Sequence, residues 1–247
     1  MPDLTLTQWL LAILGAAGLG VGKAGLSGMS LLHVLIFAFL FGARESTGVV
    51  LPMLLVGDVI AVTVYHQHSR WDYVRRMLPP ACVGVIAGAA WMRGLDDAAF
   101  RPTIGWIVFV LSVLQAARMQ RPDWFGDLPH SRGFAWTLGF VAGATTMLAN
   151  AAGPVFALYC LAVMLPKFEL VGTTAWFFFI INLFKVPFSY RLGLIHSHTL
   201  LLNLALVPAV LAGVLGGRSI IARLPQQLFD RLLLAFAAVA ALRLILS

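Results

Sequence analysis

The feature that most constrains this chain is a succession of eight long apolar stretches separated by short polar connectors. The stretches cover residues 8–41, 46–66, 74–92, 99–118, 133–165, 169–191, 197–217 and 227–246. Most of them are close in length to a helix that crosses the hydrocarbon core of a bilayer, which needs about 20 residues. Only 11% of the residues are charged, against about 25% in a typical soluble domain. The sequence therefore predicts an all-α polytopic membrane protein and excludes an ordinary soluble enzyme, a disordered chain and a disulfide scaffold.

The two halves of the chain resemble each other. We take residues 1–120 as a first repeat, 121–132 as a connector and 133–247 as a second repeat. Each half opens with a long apolar stretch that is interrupted in its middle, and three uninterrupted segments follow. Matching residues recur at offsets that drift from 124 to 129: Glu45 with Glu169, Gly48 with Gly172, Asp58 with Asn182, and Phe100 with Phe229. Internal duplication of this kind is a common origin of transporter folds.

The interrupted stretches, 8–41 and 133–165, are too long for one crossing and too short for two full ones. Their interruptions are predicted at Gly18–Gly28 (GLGVGKAGLSG) and at Ala149–Pro154 (ANAAGP). Glycine costs a helix interior about 1 kcal/mol per site, so a glycine-rich run is a poor continuous helix. Each stretch is therefore predicted to be a hairpin that enters the membrane and returns to the side where it began.

The distribution of basic residues supports the hairpins. The net charge is +7, and 15 of the 17 basic residues remain when Lys23 and Lys185, which lie deep in apolar stretches, are set aside. With two hairpins, ten of these 15 fall on one side of the membrane, whereas two single crossings would divide them almost evenly. By the positive-inside rule the richer side is cytoplasmic, so both termini are predicted to be periplasmic. Each half then crosses three times, and the two repeats are inverted. No basic run interleaved with aromatic residues suggests nucleic-acid binding.

Three ionisable side chains lie deep in apolar surroundings: Lys23, Asp58 and Lys185. Such a charge costs about 2.5–3.5 kcal/mol on insertion scales, and it persists where it is paired or lines a pathway. A buried lysine–aspartate pair that only locks helices together is one interpretation. Since one carboxylate cannot neutralise two lysines, a small anion is the natural partner of the remaining positive charge.

The two interruptions are predicted to supply further contacts to that anion. Helix N-termini bind anions through free backbone N–H groups, and Asn182 lies three residues before Lys185, on the same helical face. The predicted substrate-binding residues are Lys23, Gly25, Ser27, Asn150, Gly153, Pro154, Asn182 and Lys185. Asp58 is predicted to be a counter-ion or a protonatable coupling group. A salt bridge with a purely structural role is the alternative.

The other polar and aromatic residues are predicted to have no role in a functional site. The pairs His66/His68 and His196/His198 have a spacing that does not share a helical face, so no metal site is predicted. His33 is expected to pack or to bond within its helix, and the aromatic run 176–179 to face lipid or the core. No serine–histidine–aspartate, cysteine–histidine or paired-carboxylate arrangement indicates catalysis. The chain is predicted not to be an enzyme and to need no cofactor.

Four segments together resemble the sulfite exporter TauE/SafE family of membrane permeases. They are GLGVGKAGLSG at 18–28, LPMLLVGD at 51–58, AAGP at 151–154 and GTTAWFFFIINLFKVPFSY at 172–190. Their order and spacing extend the similarity over nearly the whole chain. The resemblance implies transport of a small sulfur-containing oxyanion, such as sulfite or a sulfonate, in the inner membrane of a bacterium.

The expected activity is therefore export of sulfite or a small organosulfonate. An inside-negative potential favours outward movement of an anion by about 2.3 kcal/mol per charge per 100 mV, so export needs no coupling ion. An anion channel, a proton-coupled importer and a membrane subunit that passes sulfur to a partner are the alternatives. The expected partners are the anion, the lipid bilayer and, in a homo-oligomer, further copies of the chain.

Overall fold

The computed structural model describes residues 4–24, 29–120 and 131–223, and Ala235, 238–239, 241–242 and 245–246. Within these residues the chain forms nine long or medium α-helices and a short 3-10 helix at His66–His68; residues 235, 238–239, 241–242 and 245–246 are also helical, and there is no strand. The helices are α1 (Leu6–Lys23), α2 (Met29–Phe41), α3 (Ala43–Tyr65), α4 (Trp71–Arg93), α5 (Asp97–Gln120), α6 (Arg132–Ala149), α7 (Gly153–Ala162), α8 (Lys167–Arg191) and α9 (Ser197–Arg223). The predicted all-α class is confirmed for this part of the chain.

Five helical stretches among the described residues are long and apolar enough to cross a bilayer. They are Leu6–Lys23, Ala43–His68, Ala99–Ala117, Phe168–Arg191 and Ser197–Gly217. By contrast, α7 has 10 residues and extends only about 15 Å, half the thickness of the hydrocarbon core. The chain is a multi-pass membrane protein that also contains helices too short to span.

The first two helices form a hairpin. A Cβ atom added at Gly18 would lie 2.9 Å from Met29 Cε, and one added at Gly15 would lie 2.8 Å from Phe37 Cε2. Residues progressively farther from the connection between the helices therefore face each other, which means that α2 runs back along α1. The antiparallel packing of these two helices is compatible with the predicted hairpin, whose path relative to the membrane stays a prediction.

Helix α1 extends further along the chain than the sequence suggests. The prediction that the helix breaks from Gly18 onward is wrong, because α1 remains helical through Lys23. Gly20 explains why glycine is retained inside a helix: a Cβ atom there would overlap the carbonyl oxygen of Val210 in α9 and lie 2.9 Å from Gly213 Cα. Close helix–helix approach, rather than irregular backbone, accounts for this glycine, as is common in membrane helices.

The second interruption is formed by the end of α6 and the start of α7. Asn150 has a left-handed backbone (φ 53°) and ends α6, and its N–H donates to the carbonyl of Thr146 at 3.0 Å. A left-handed residue commonly ends a helix in this way. After Ala151 and Ala152 the chain resumes as α7, which packs against α6.

The most extensive contacts between helices join the two halves of the chain. Helix α4 packs against α6, α1 packs against α9, and α3 packs against α8. Glycines allow two of these close approaches: a Cβ atom at Gly143 would overlap the carbonyl oxygen of Ala81, and one at Gly213 would overlap that of Ala17. The centre of the protein is therefore built jointly by both halves.

Gly213→Val is expected to destabilise the protein, whereas Gly216→Val on the same helix serves as its matched control. The first substitution forces side-chain atoms into the α1 backbone, an overpacking that typically costs about 1–3 kcal/mol, whereas a Cβ atom at Gly216 meets nothing within 4 Å. Thermal unfolding in detergent should show a clearly lower Tm for Gly213→Val alone. Equal shifts for the two variants would contradict the close α1–α9 contact.

Candidate functional site

The two interruptions and the central helices α3 and α8 surround one cavity of about 90 Å³. The end of α1 contributes Gly22 and Lys23, and the α6–α7 connection contributes Asn150 and Gly153. The polar side chains that line the cavity include Lys23, His33, Asp58, Thr146, Asn150 and Asn182. Its apolar wall includes Leu19, Leu54, Leu170, Val171 and Phe178. A mostly apolar cavity with a few convergent polar groups is the usual form of a small-molecule site.

Lys23 and Asp58 form a buried ion pair at this cavity. The Lys23 ammonium donates to Asp58 Oδ1, and the Lys23 side chain is 13% exposed while that of Asp58 is fully buried. Lys23 belongs to the last turn of α1, where the helix dipole favours a positive charge. Its ammonium also lies 4.9 Å from the centre of the Phe178 ring. The second oxygen of Asp58 accepts a hydrogen bond from Asn182 Nδ2 at 2.7 Å. Asp58 is thus the counter-ion of Lys23.

Lys185 is surrounded by neutral acceptors. Its ammonium donates to Asn150 Oδ1 at 2.5 Å, Thr146 Oγ1 at 3.2 Å and Asn182 Oδ1 at 3.4 Å, and the residue is only 1% exposed. A buried charge is costly unless it is paired or fully hydrogen-bonded. The hydrogen bonds satisfy the donors of Lys185 but leave its charge without a contacting anion among the described residues.

Two amides connect the charged groups to the helices around them. Asn182 lies one turn before Lys185 on α8 and bridges it to Asp58. Asn150 accepts from Lys185 and donates through Nδ2 to the carbonyl oxygen of Thr47 in α3 at 2.9 Å. A continuous polar chain therefore runs from Lys23 through Asp58 and Asn182 to Lys185 and on to Asn150.

The structure brings together most of the residues that the sequence singles out. Lys23, Asp58, Asn150, Gly153 and Asn182 line the cavity. Lys185 lies behind the lining and contacts it through hydrogen bonds. Pro154 is buried at the start of α7 without lining the cavity. Gly25 and Ser27 lie outside the described residues.

Several lining residues were not among the predicted site residues. Phe178, which was expected to face lipid or the core, lies over Lys23; it precedes Asn182 by four residues, so helical spacing could have placed it on that face. Thr146 precedes Asn150 by four residues in the same way and accepts from Lys185. His33, which was expected to pack or to bond within its helix, lines the cavity.

A family model described as Sulfite exporter TauE/SafE matches residues 10–244, nearly the whole chain. No curated protein and no solved structure matches the sequence. The family consists of membrane transporters of sulfur-containing anions. The chain therefore belongs to the sulfite exporter TauE/SafE family.

Proposed function

We propose that this protein exports sulfite or a small organosulfonate across the bacterial inner membrane and binds it as a monoanion in the central cavity. The observation that carries the proposal is the excess of positive charge: two ammonium groups accompany one carboxylate in the described polar chain. Lys23 contacts the anion directly, while Asn150, Gly153, Asn182 and Lys185 complete or support the site. Gly25 and Ser27 stay predicted contacts, and Pro154 would contribute by shaping the start of α7 rather than by touching the anion.

The charge of the site favours a monoanion over a dianion. Lys23, Asp58 and Lys185 sum to a single positive charge, which one negative charge neutralises. A dianion would leave an uncompensated charge in an apolar environment, which is costly. The leucine, valine and phenylalanine side chains of the cavity also suit a ligand with an apolar portion. The hydrogensulfite form of sulfite and alkanesulfonates meet these requirements better than sulfate or thiosulfate.

Two inverted repeats would explain how the site forms. If α1 and α4 of the first half correspond to α6 and α9 of the second, the α1–α9 contact is the counterpart of the α4–α6 contact. Gly84 and Gly88 of α4 match Gly213 and Gly217 of α9 at one common offset of 129, and all four lie at these contacts. Asp58 and Asn182, a matched pair, meet each other as residues beside a two-fold axis would. Movement of one repeat against the other would then alternate access.

The membrane potential supplies the driving force in this proposal. An inside-negative potential drives a monoanion outward by about 2.3 kcal/mol per 100 mV. At equilibrium this corresponds to about a 50-fold ratio of its outside to its inside concentration. A uniporter therefore suffices for export. The termini are proposed to be periplasmic. Proton coupling through Asp58 is the second mechanism, since its carboxylate is the acidic group within the described polar chain.

Flux measurements in proteoliposomes test the function. We expect saturable movement of sulfite and methanesulfonate that follows an imposed potential, with much slower movement of sulfate. Flux that follows a pH gradient and ignores the potential would favour proton coupling. Rates that never saturate would identify a channel, and sulfate moving as fast as methanesulfonate would contradict the monoanion site.

A further inference from the structure

His33 is a buried polar residue that lines the cavity. It belongs to α2 and is 2% exposed. Among the described residues, neither of its ring nitrogens has a hydrogen-bond partner within ordinary distance and angle limits; the backbone of Met29, one turn earlier in α2, lies near the ring. A buried donor or acceptor without a partner typically costs about 1–3 kcal/mol. Such a group requires an explanation, and an absent ligand in the adjoining cavity supplies one.

Most of the other polar side chains around the cavity differ from His33 because they already have partners, Thr174 being an exception. Asp58 accepts from Lys23 and Asn182, and the side-chain oxygens of Asn150 and Thr146 accept from Lys185. The hydroxyl of Thr174 has no hydrogen-bond partner among the described residues. His33 lines the same cavity as Lys23. Its ring nitrogens therefore adjoin the cavity that the Lys23 ammonium also reaches.

We propose that His33 is a ligand-contacting residue whose ring N–H donates a hydrogen bond to an oxygen of the bound oxyanion. A neutral imidazole ring carries one N–H donor. His33 approaches from α2, so it contacts the anion from an element different from the α1 terminus, which carries Lys23, and the α6–α7 connection. This inference rests on the proposed function and adds a neutral donor to its site.

Opposite effects on affinity and stability would distinguish this role from simple packing. A hydrogen bond to a charged group corresponds to about a tenfold to hundredfold change in affinity. His33→Leu and His33→Phe remove the donor, but they also remove buried polar atoms that lack partners. The ligand-free variants should therefore unfold at the same Tm as the wild type or higher, while binding is weakened. His33→Gln restores an N–H donor and should recover much of the affinity.

Asn203 provides a matched control. It is 4% exposed, neither polar atom of its side chain has a hydrogen-bond partner among the described residues, and it does not line the cavity. Asn203→Leu therefore removes the same kind of unpartnered buried group from another place. It should leave ligand affinity unchanged.

The experiment is calorimetric titration of the full chain in detergent with sulfite and, separately, with methanesulfonate. We expect Kd for both probes to rise at least about tenfold in His33→Leu and His33→Phe, to fall back in His33→Gln, and to stay at the wild-type value in Asn203→Leu. Wild-type affinity in the leucine and phenylalanine variants, or equal weakening by Asn203→Leu, would overturn the inference. If those variants bind normally while Lys23→Met does not bind, this inference alone fails. If the wild type binds neither probe, the proposed function fails with it.

Discussion

Lys23→Met is expected to abolish anion binding and transport. The substitution removes the ammonium that reaches the cavity and leaves the fully buried Asp58 carboxylate without its ion-pair partner. An ion pair at 4 Å contributes about 4 kcal/mol at an effective dielectric constant near 20, equivalent to roughly a thousandfold in Kd. The isolated carboxylate should also lower stability by about 3–5 kcal/mol. Calorimetry with methanesulfonate and thermal unfolding in detergent measure the two effects separately.

The double variant Lys23→Met/Asp58→Asn distinguishes a role of Lys23 in ligand binding from a role in holding α1 against α3. It removes both members of the ion pair, and replacing a buried ion pair by neutral groups is often tolerated. The Tm should therefore return toward the wild-type value, while binding should remain lost because no ammonium faces the cavity. Wild-type affinity in the double variant would mean that Lys23 serves only to neutralise Asp58 and to hold α1 against α3.

Much of the polar site is predictable from the sequence because charge at membrane depth is costly. Lys23, Asp58 and Lys185 stand out for that reason alone, and the spacing of Asn182 and Lys185 on one helical face is a local property of the sequence. The duplicated pattern also pairs Asp58 with Asn182, whose side chains bond to each other in the structure. The sequence leaves open which lysine forms the ion pair with Asp58, because that depends on how α1, α3 and α8 cross.

The first interruption and the cavity lining are less predictable because they depend on tertiary contacts. Glycine has low helix propensity, yet Gly20 is helical because α9 packs directly on it. Propensity is a weak prior that such packing overrides. His33 and Phe178 likewise read as ordinary members of apolar segments, and only the arrangement of α2 and α8 around the cavity gives them a polar neighbourhood.

Lys185→Met is expected to weaken anion binding by a different route. Lys185 does not line the cavity, and its ammonium holds the side-chain oxygens of Asn150, Asn182 and Thr146. It therefore acts as a positioning residue that also supplies the unneutralised charge. At a separation of about 8 Å such a charge contributes about 2 kcal/mol at an effective dielectric constant near 20, or about 30-fold in Kd. Titration with methanesulfonate measures this loss.

The double variant Lys185→Met/Asp58→Asn provides the decisive comparison with the double variant at Lys23. Both double variants retain one lysine and no carboxylate in the described polar chain, so both sites keep the single positive charge of the wild type. Removing Lys185 frees the oxygen of Asn182, which can then turn to accept from an amide at position 58. Because Lys23 still reaches the cavity, this variant should regain much of the affinity that Lys185→Met loses, whereas the Lys23 double variant should not. Equal affinities would mean that net charge alone governs binding, and they would contradict a direct contact between Lys23 and the anion.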